Sequence, residues 1–308
     1  MKRRAAILHD LDEPSSCRIS KSPMSAPLEE VDQRSALGEI RGWGRRYLNS
    51  HLLRALETLG AQTVLGVRTV QYLITDLLTG RFPFWEFIRQ AAFMAGTAVL
   101  PTLLVTIPVG VTLAIQFGVL AGQVGAESLS GAANGLVVIR QGAPLVAAIL
   151  LAAAVGSAVA ADLASRTMRE ETAAMEVMGV SVIRHLVVPR FAAVIVVGIA
   201  LTGLTTCAGF FIGYMFNVYM QNGAGGSFVA TFASFATVGD LILSLCKAAV
   251  FGAIVGIVSC QKGLNTTGGP AGVANSVNAA VVEATLLLMI VNVAMSQFYL
   301  LLFPKASL

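Results

Sequence analysis

The sequence predicts an all-α integral membrane protein: an N-terminal amphipathic helix lying in the interface plane, then five transmembrane helices with a helical cytoplasmic loop between the second and third. Three observations carry this expectation. Of 308 residues, 56% are hydrophobic and 12% charged, where soluble domains run at about 45–50% with glycine counted in and about 25% charged. Mean hydropathy is +0.75. The charge is also unevenly placed, since residues 1–90 hold 23 of the 38 charged side chains. A soluble globule is excluded, as are a disordered chain, which needs low hydrophobicity, and a disulfide scaffold, for which four cysteines are too few. The net charge of +4 comes with no aromatic interleaving and no nucleic-acid motif, so its reading is orientation and headgroup contact.

Residues 1–45 are rich in Ser, Pro and charge and read as a disordered cytosolic tail, in which Met24 is a second candidate start. Residues 46–90 form the interfacial region. There Leu52, Leu56, Leu59, Val67, Val70, Ile74 and Leu77 fall within an arc of about 80° at helical spacing, with Arg54, Glu57, Arg68, Gln71 and Asp76 opposite. Such a moment on a moderately apolar segment fits a helix on the membrane surface. Residues 91–308 are the five-helix domain. Apolar runs long enough to span occupy about 91–126, 136–161, 191–219, 241–261 and 279–303, with Pro101 and Pro108 as candidate kinks in the first.

Lys/Arg counts set the orientation. The head carries 13, and the 162–190 loop carries Arg166, Arg169, Arg184 and Arg190, while the loops near 123–135 and 220–239 carry none. The N-terminus and the 162–190 loop are therefore expected in the cytoplasm and the C-terminus in the periplasm. Gly118 with Gly122, Gly209 with Gly213 and Gly252 with Gly256 permit close helix approach. Cys17, Cys207, Cys246 and Cys260 stand singly and read as buried apolar thiols. Lys247 and Glu283 are charges inside spans, at depths too different for direct pairing, and snorkelling of both competes with a functional role for Lys247.

No nucleophile elbow, zinc-protease motif or phosphate-binding loop occurs, and His9, His51 and His185 are scattered. No metal site is expected, and any ATP must be bound by another subunit. The informative segment is residues 162–190. It reads as one short helix over about 164–178 ending at Gly179, and a second ending before Pro189. On the first, Met168, Thr172 and Met175 share a face, ringed by Arg166, Arg169, Glu170 and Glu171, which suits an adaptable docking surface.

In that order of elements the chain resembles the MlaE/YrbE permeases of lipid-transporting ABC systems over about residues 45–305. The loop carries the most specific likeness, in Glu170, Glu171, Met175, Glu176, Met178, Gly179, Pro189 and Arg190. Arg140 and Pro144, Gly156 and Ser157, and Lys247 with Phe251 add to it, and the stretch from Gly263 looks most like YrbE proteins encoded with Mce proteins in actinobacteria. Two positions depart from the family pattern. Gln141 stands where a glutamate is usual and Ala154 where an arginine is usual, as expected if these two charges pair in other members and are lost together.

The resemblance implies a permease subunit of an Mce-type ABC lipid importer in the bacterial inner membrane. It implies a second YrbE-like permease, as a heterodimer, two ATPase subunits holding ATP and magnesium, and Mce substrate-binding proteins outside. Arg166, Met168, Arg169, Glu170, Glu171, Met175, Glu176, Met178 and Gly179 become candidate ATPase-coupling residues. Arg140, Pro144, Lys247 and Phe251 become candidates along the lipid path. A self-contained channel or secondary transporter is the competing expectation. Paired intramembrane acids and broken helices, the marks of such transporters, are absent from the sequence. An intramembrane enzyme lacks the groups it would need.

Overall fold

The computed structural model describes residues 58–80, 82–123, 125, 130–220 and 223–302. The expected tail, and Leu52, Leu56, Arg54 and Glu57 of the amphipathic segment, lie outside them. The described residues form eight helices: α1 (58–79), α2 (Phe84–Gln123), α3 (Gly131–Met168), α4 (Glu171–Val177), α5 (Ile183–Met220), α6 (Gly225–Phe235), α7 (Val238–Leu264) and α8 (Gly269–Leu302). Helices α2, α3, α5, α7 and α8 are each long and apolar enough to cross a membrane. The protein is therefore an all-α, multi-pass membrane protein, with no strand among the described residues.

Helix α1 is amphipathic in the expected sense, with Leu59, Val67, Val70, Ile74 and Leu77 exposed. The neighbouring stripe packs on the bundle through Gln62, Gly66, Thr69 and Asp76 at a spacing of seven residues per two turns. Arg68 and Gln71, expected with Asp76 on the polar side, are exposed. Two polar contacts fix its ends. Arg184, at the start of α5, donates from Nε to Asp76 at 2.9 Å, and Gln62 donates to Glu283 on α8.

Helix α2 runs unbroken through Pro101 and Pro108 and starts at Phe84, ahead of its apolar run. Its buried residues, Met94, Ala98, Thr102, Thr106, Gly110 and Ala114, recur every fourth position and lie along α5. That central helix also meets α7, where a Cβ on Gly252 would stand 2.9 Å from the Ile195 Cα, so only glycine permits the observed backbone approach. Gly209 and Gly213 likewise face Val138 and Asn134 of α3, whereas Gly122 faces open space. Leu151, Leu163, Val194, Leu201, Phe251, Val255 and Leu288 fill the core between these helices. In α8 only 17% of the apolar window is buried, against 56% in α3, so α8 offers most of its surface to lipid or to another subunit. Cys260 is buried but Cys207 and Cys246 are exposed, which corrects the expectation of buried thiols. The outer face of a membrane helix meets lipid, so an apolar thiol is at home there.

The loop differs from its expected form in two ways. The helix expected over 164–178 is broken, because α3 continues to Met168, Glu170 turns left-handed at φ 60°, and α4 begins at Glu171. Met168 and Met175 therefore sit on different helices. The second loop helix is the first turn of α5, and Pro189 lies inside α5 instead of opening it. A π-helical segment, Ile183–Val187, precedes the proline, and the Val188 N–H reaches back to the Ile183 carbonyl. Gly179, at φ 75°, does take the left-handed position expected after a helix end.

Candidate functional site

At the α6 end of the bundle the structure joins several of the candidate path residues, starting from a proline. Pro144 has no N–H, so the carbonyl four residues earlier, that of Arg140, loses its α-helical donor. Helix α3 adapts with a π segment, Val138–Gly142, and the Lys247 ammonium donates to the Arg140 carbonyl at 3.1 Å. Lys247 also donates to Ser296 Oγ at 2.8 Å, Asn292 Oδ1 at 3.3 Å and Gln141 Oε1 at 3.4 Å. It is fully buried, so it does not snorkel. All four partners are neutral.

Beside it Arg140 donates from Nε to Asp240 Oδ1 at 2.6 Å, and the Asp240 carboxylate is 1% exposed. Thr237 and Asp240 form a reciprocal capping box at the start of α7, which fixes the carboxylate in place. Tyr299 donates its hydroxyl to Asp240 at 3.4 Å, and its ring lies 6.0 Å from the Arg140 guanidinium. A cavity of about 220 Å³ opens onto Arg140, Gln141, Lys247, Ser296 and Tyr299. Two cations and one carboxylate thus share a largely desolvated site. An anionic or strongly hydrogen-bonding group is the chemistry such a site favours. Phe251 and Pro144 do not line this cavity. Phe251 is 1% exposed in the apolar core, and Pro144 is buried on the helix axis it reshapes.

The expected pairing of charges at positions 141 and 154 does not fit this geometry. Thirteen residues along one helix are about 20 Å, and position 141 faces Lys247 instead. A glutamate there would meet Lys247 directly. Gln141 in its place leaves the ammonium with neutral acceptors. Glu283, by contrast, pairs with Lys262 at 2.6 Å. Sequence reading missed Asp240, Asn292, Ser296 and Tyr299. The available signals were the T-x-x-D box at α7 and the i, i+4 spacing of Asn292 and Ser296 on an apolar helix.

At the opposite end, α4 contains no buried residue. Met168, Val177 and Met178 are exposed, the last two at 90% and 71%, and Glu176 points outward beside them. Glu171 meets Arg169 at 3.1 Å and Arg166 at 3.8 Å. Arg166 and Arg190 both donate to Asp162. The ion pairs tie α4 to the end of α3 while leaving its apolar side chains uncovered. Nothing within the described residues buries them.

The sequence matches the family described as Permease MlaE over residues 87–298, more than half of the chain. A "Probable ABC transporter permease protein" of Synechocystis sp. is 30% identical, covering 71% of this chain and 84% of its own. One of Rickettsia bellii is 24% identical over 82% of this chain and 96% of its own. The Arabidopsis thaliana protein named "Protein TRIGALACTOSYLDIACYLGLYCEROL 1, chloroplastic" is 28% identical over 74% of this chain and 65% of its own. With its five apolar helices and an exposed helix between the second and third, this chain belongs to the MlaE permease family.

Proposed function

We propose that the protein is the membrane-spanning subunit of a multi-subunit ABC lipid transporter of the Mce type, working in import in the bacterial inner membrane. The observation that carries this reading is α4, a helix held by ion pairs with no residue buried. A seven-residue helix of that kind is unstable alone, and a partner surface gives it a reason to exist. The partner is an ATPase subunit that binds ATP and magnesium. Arg166, Met168, Arg169, Glu170, Glu171, Met175, Glu176, Met178 and Gly179 form the docking surface. Four arginines in the 162–190 loop support a cytoplasmic position for that end, with the α6 end outside.

Lipid as cargo is supported by a plant relative whose name contains a galactolipid and by the apolar surface of α8. A second permease of divergent sequence covers that surface, and Mce proteins meet the α6 end. The Arg140 and Lys247 cluster contacts the lipid headgroup on the outer side. The test is affinity purification of the tagged protein in mild detergent, with ATPase assay and subunit identification, beside a Glu170→Arg, Glu171→Arg variant. An ATPase and a second permease copurify with the parent, and the ATPase is absent from the variant. If the parent comes down alone, without nucleotide hydrolysis, the reading fails.

A further inference from the structure

A cavity separate from the Lys247 cluster opens at the α4 end, between the start of α2, the end of α3 and the start of α5, with a volume of about 360 Å³. Its polar side is built from three arginines, Arg89, Arg166 and Arg190, and one carboxylate, Asp162. Arg190 is 2% exposed. It is held by the Leu186 carbonyl at 2.9 Å and by Asp162 at 2.5 Å. Those contacts engage two of the five N–H groups of a guanidinium. Arg166 is set by Asp162 through Nε at 3.2 Å, and Arg89 by Glu86 at 2.6 Å. The side chains lining the cavity carry three positive charges and one negative, and Glu86 and Glu171 balance Arg89 and Arg166 from behind. Guanidinium forks converging on one space match the geometry of a phosphate.

The other side of the cavity is apolar, with Met94 and Val159 in its floor and Phe93, 61% exposed, at its open edge. From Phe93 the same face of α2 continues as Leu100, Leu104 and Ile107, which are 64%, 61% and 50% exposed. This row rises by about 21 Å over 14 residues, enough to follow one leaflet, about 15 Å of hydrocarbon. A free anion needs the arginines but has no use for this row.

We propose that this cavity holds a net-negative phospholipid of the leaflet at the α4 end. Its phosphate lies among Arg89, Arg166 and Arg190, and an acyl chain lies along Phe93, Leu100 and Leu104. The site stands one helix end from α4, so the bound lipid braces the segment that carries the docking surface. The proposal requires only that the chain be embedded in a membrane, and it holds or fails independently of the ATPase reading.

The test is native mass spectrometry of the purified protein, with whatever subunits accompany it, released from detergent containing equal amounts of phosphatidylglycerol and phosphatidylcholine of matched chains. The parent retains phosphatidylglycerol in preference, and Arg89→Gln with Arg166→Gln lowers retention roughly tenfold, the equivalent of one charge-assisted contact at about 1.4 kcal/mol. Arg68→Gln, at the same end but outside the cavity, leaves it unchanged. If the double variant does not stay monodisperse, Arg89→Gln alone reads a smaller loss in the same direction, because the Arg89 side chain is 65% exposed and supports no core. Equal retention of the two lipids by the parent overturns the proposal, as does unchanged retention in the variant. Displacement of the lipid by excess inorganic phosphate also overturns it, since the apolar row would then contribute nothing.

Discussion

The two ends of α3 put charge to opposite uses. Near its start, Arg140, Asp240 and Lys247 are held by partners on three different helices, with Lys247 and Asp240 almost wholly desolvated. At its far end, Arg166, Arg169 and Glu171 form exposed pairs that steady a helix burying nothing. Buried charge is expensive, so every member of the first group is tied into the fold by its partners, whatever else it contacts. Exposed pairs contribute little to stability, so the second group is free to serve a partner. Substitutions at the two ends therefore separate folding from coupling.

The largest expected effect is at Asp240. Asp240→Asn leaves Arg140 without its carboxylate and weakens the capping box, which lowers stability by about 3 kcal/mol or more. Thermal unfolding in detergent followed by size-exclusion chromatography measures it, and an unchanged midpoint would mean that water screens the pair. Lys247→Met comes next. It strips a donor from the Arg140 carbonyl, at about 1–3 kcal/mol, but relieves the burial of a cation with only neutral partners. Its midpoint drops less than that of Asp240→Asn, and a larger drop would show that the ammonium holds α3, α7 and α8 together. Gln141→Glu sharpens the same point, because it supplies Lys247 with a counter-charge and raises the midpoint.

At the other end the expected changes are small. Reversing Glu170 and Glu171 to Arg shifts stability by no more than about 0.5 kcal/mol, while the proposed function expects the same variant to lose the ATPase on purification. A large loss of stability in that variant would erase the distinction between the two ends. Glu170→Gly has the smallest effect. It relieves a left-handed residue at about 1 kcal/mol and incurs the entropy of glycine at about 0.5 kcal/mol or more, a net gain of a few tenths read as a slightly higher midpoint.

The number and order of the spans were legible, because 20 apolar residues have few alternatives to a membrane helix. Their ends were less so. Helices α2 and α8 begin at Phe84 and Gly269, ahead of the apolar runs at 91 and 279, because a helix does not stop where the hydrocarbon does. The loop was half legible. Gly179 announced one helix end, but nothing in the composition marks Glu170, where an ordinary residue adopts a glycine-like φ. Lys247 was visible as a charge in a span, yet its partners come from α3 and α8, and Arg140 reaches Asp240 across 100 residues of sequence. The clue lay in Pro144, which frees one carbonyl, although a freed carbonyl does not say which donor will take it.

The π segments of α3, Val138–Gly142 and Leu151–Gly156, bear on how this span tolerates insertions and deletions. Each winds more residues into a turn than an α-helix does. Removing Ala153, which is exposed within the second segment, lets that turn close as ordinary α-helix while Arg140 and Asp162 keep their directions. The same deletion in α7 would swing everything beyond it by about 100°, carrying Lys247 away from Asn292 and Ser296. Gene-length drift among relatives is thus admissible in the middle of α3, where a span would ordinarily forbid it.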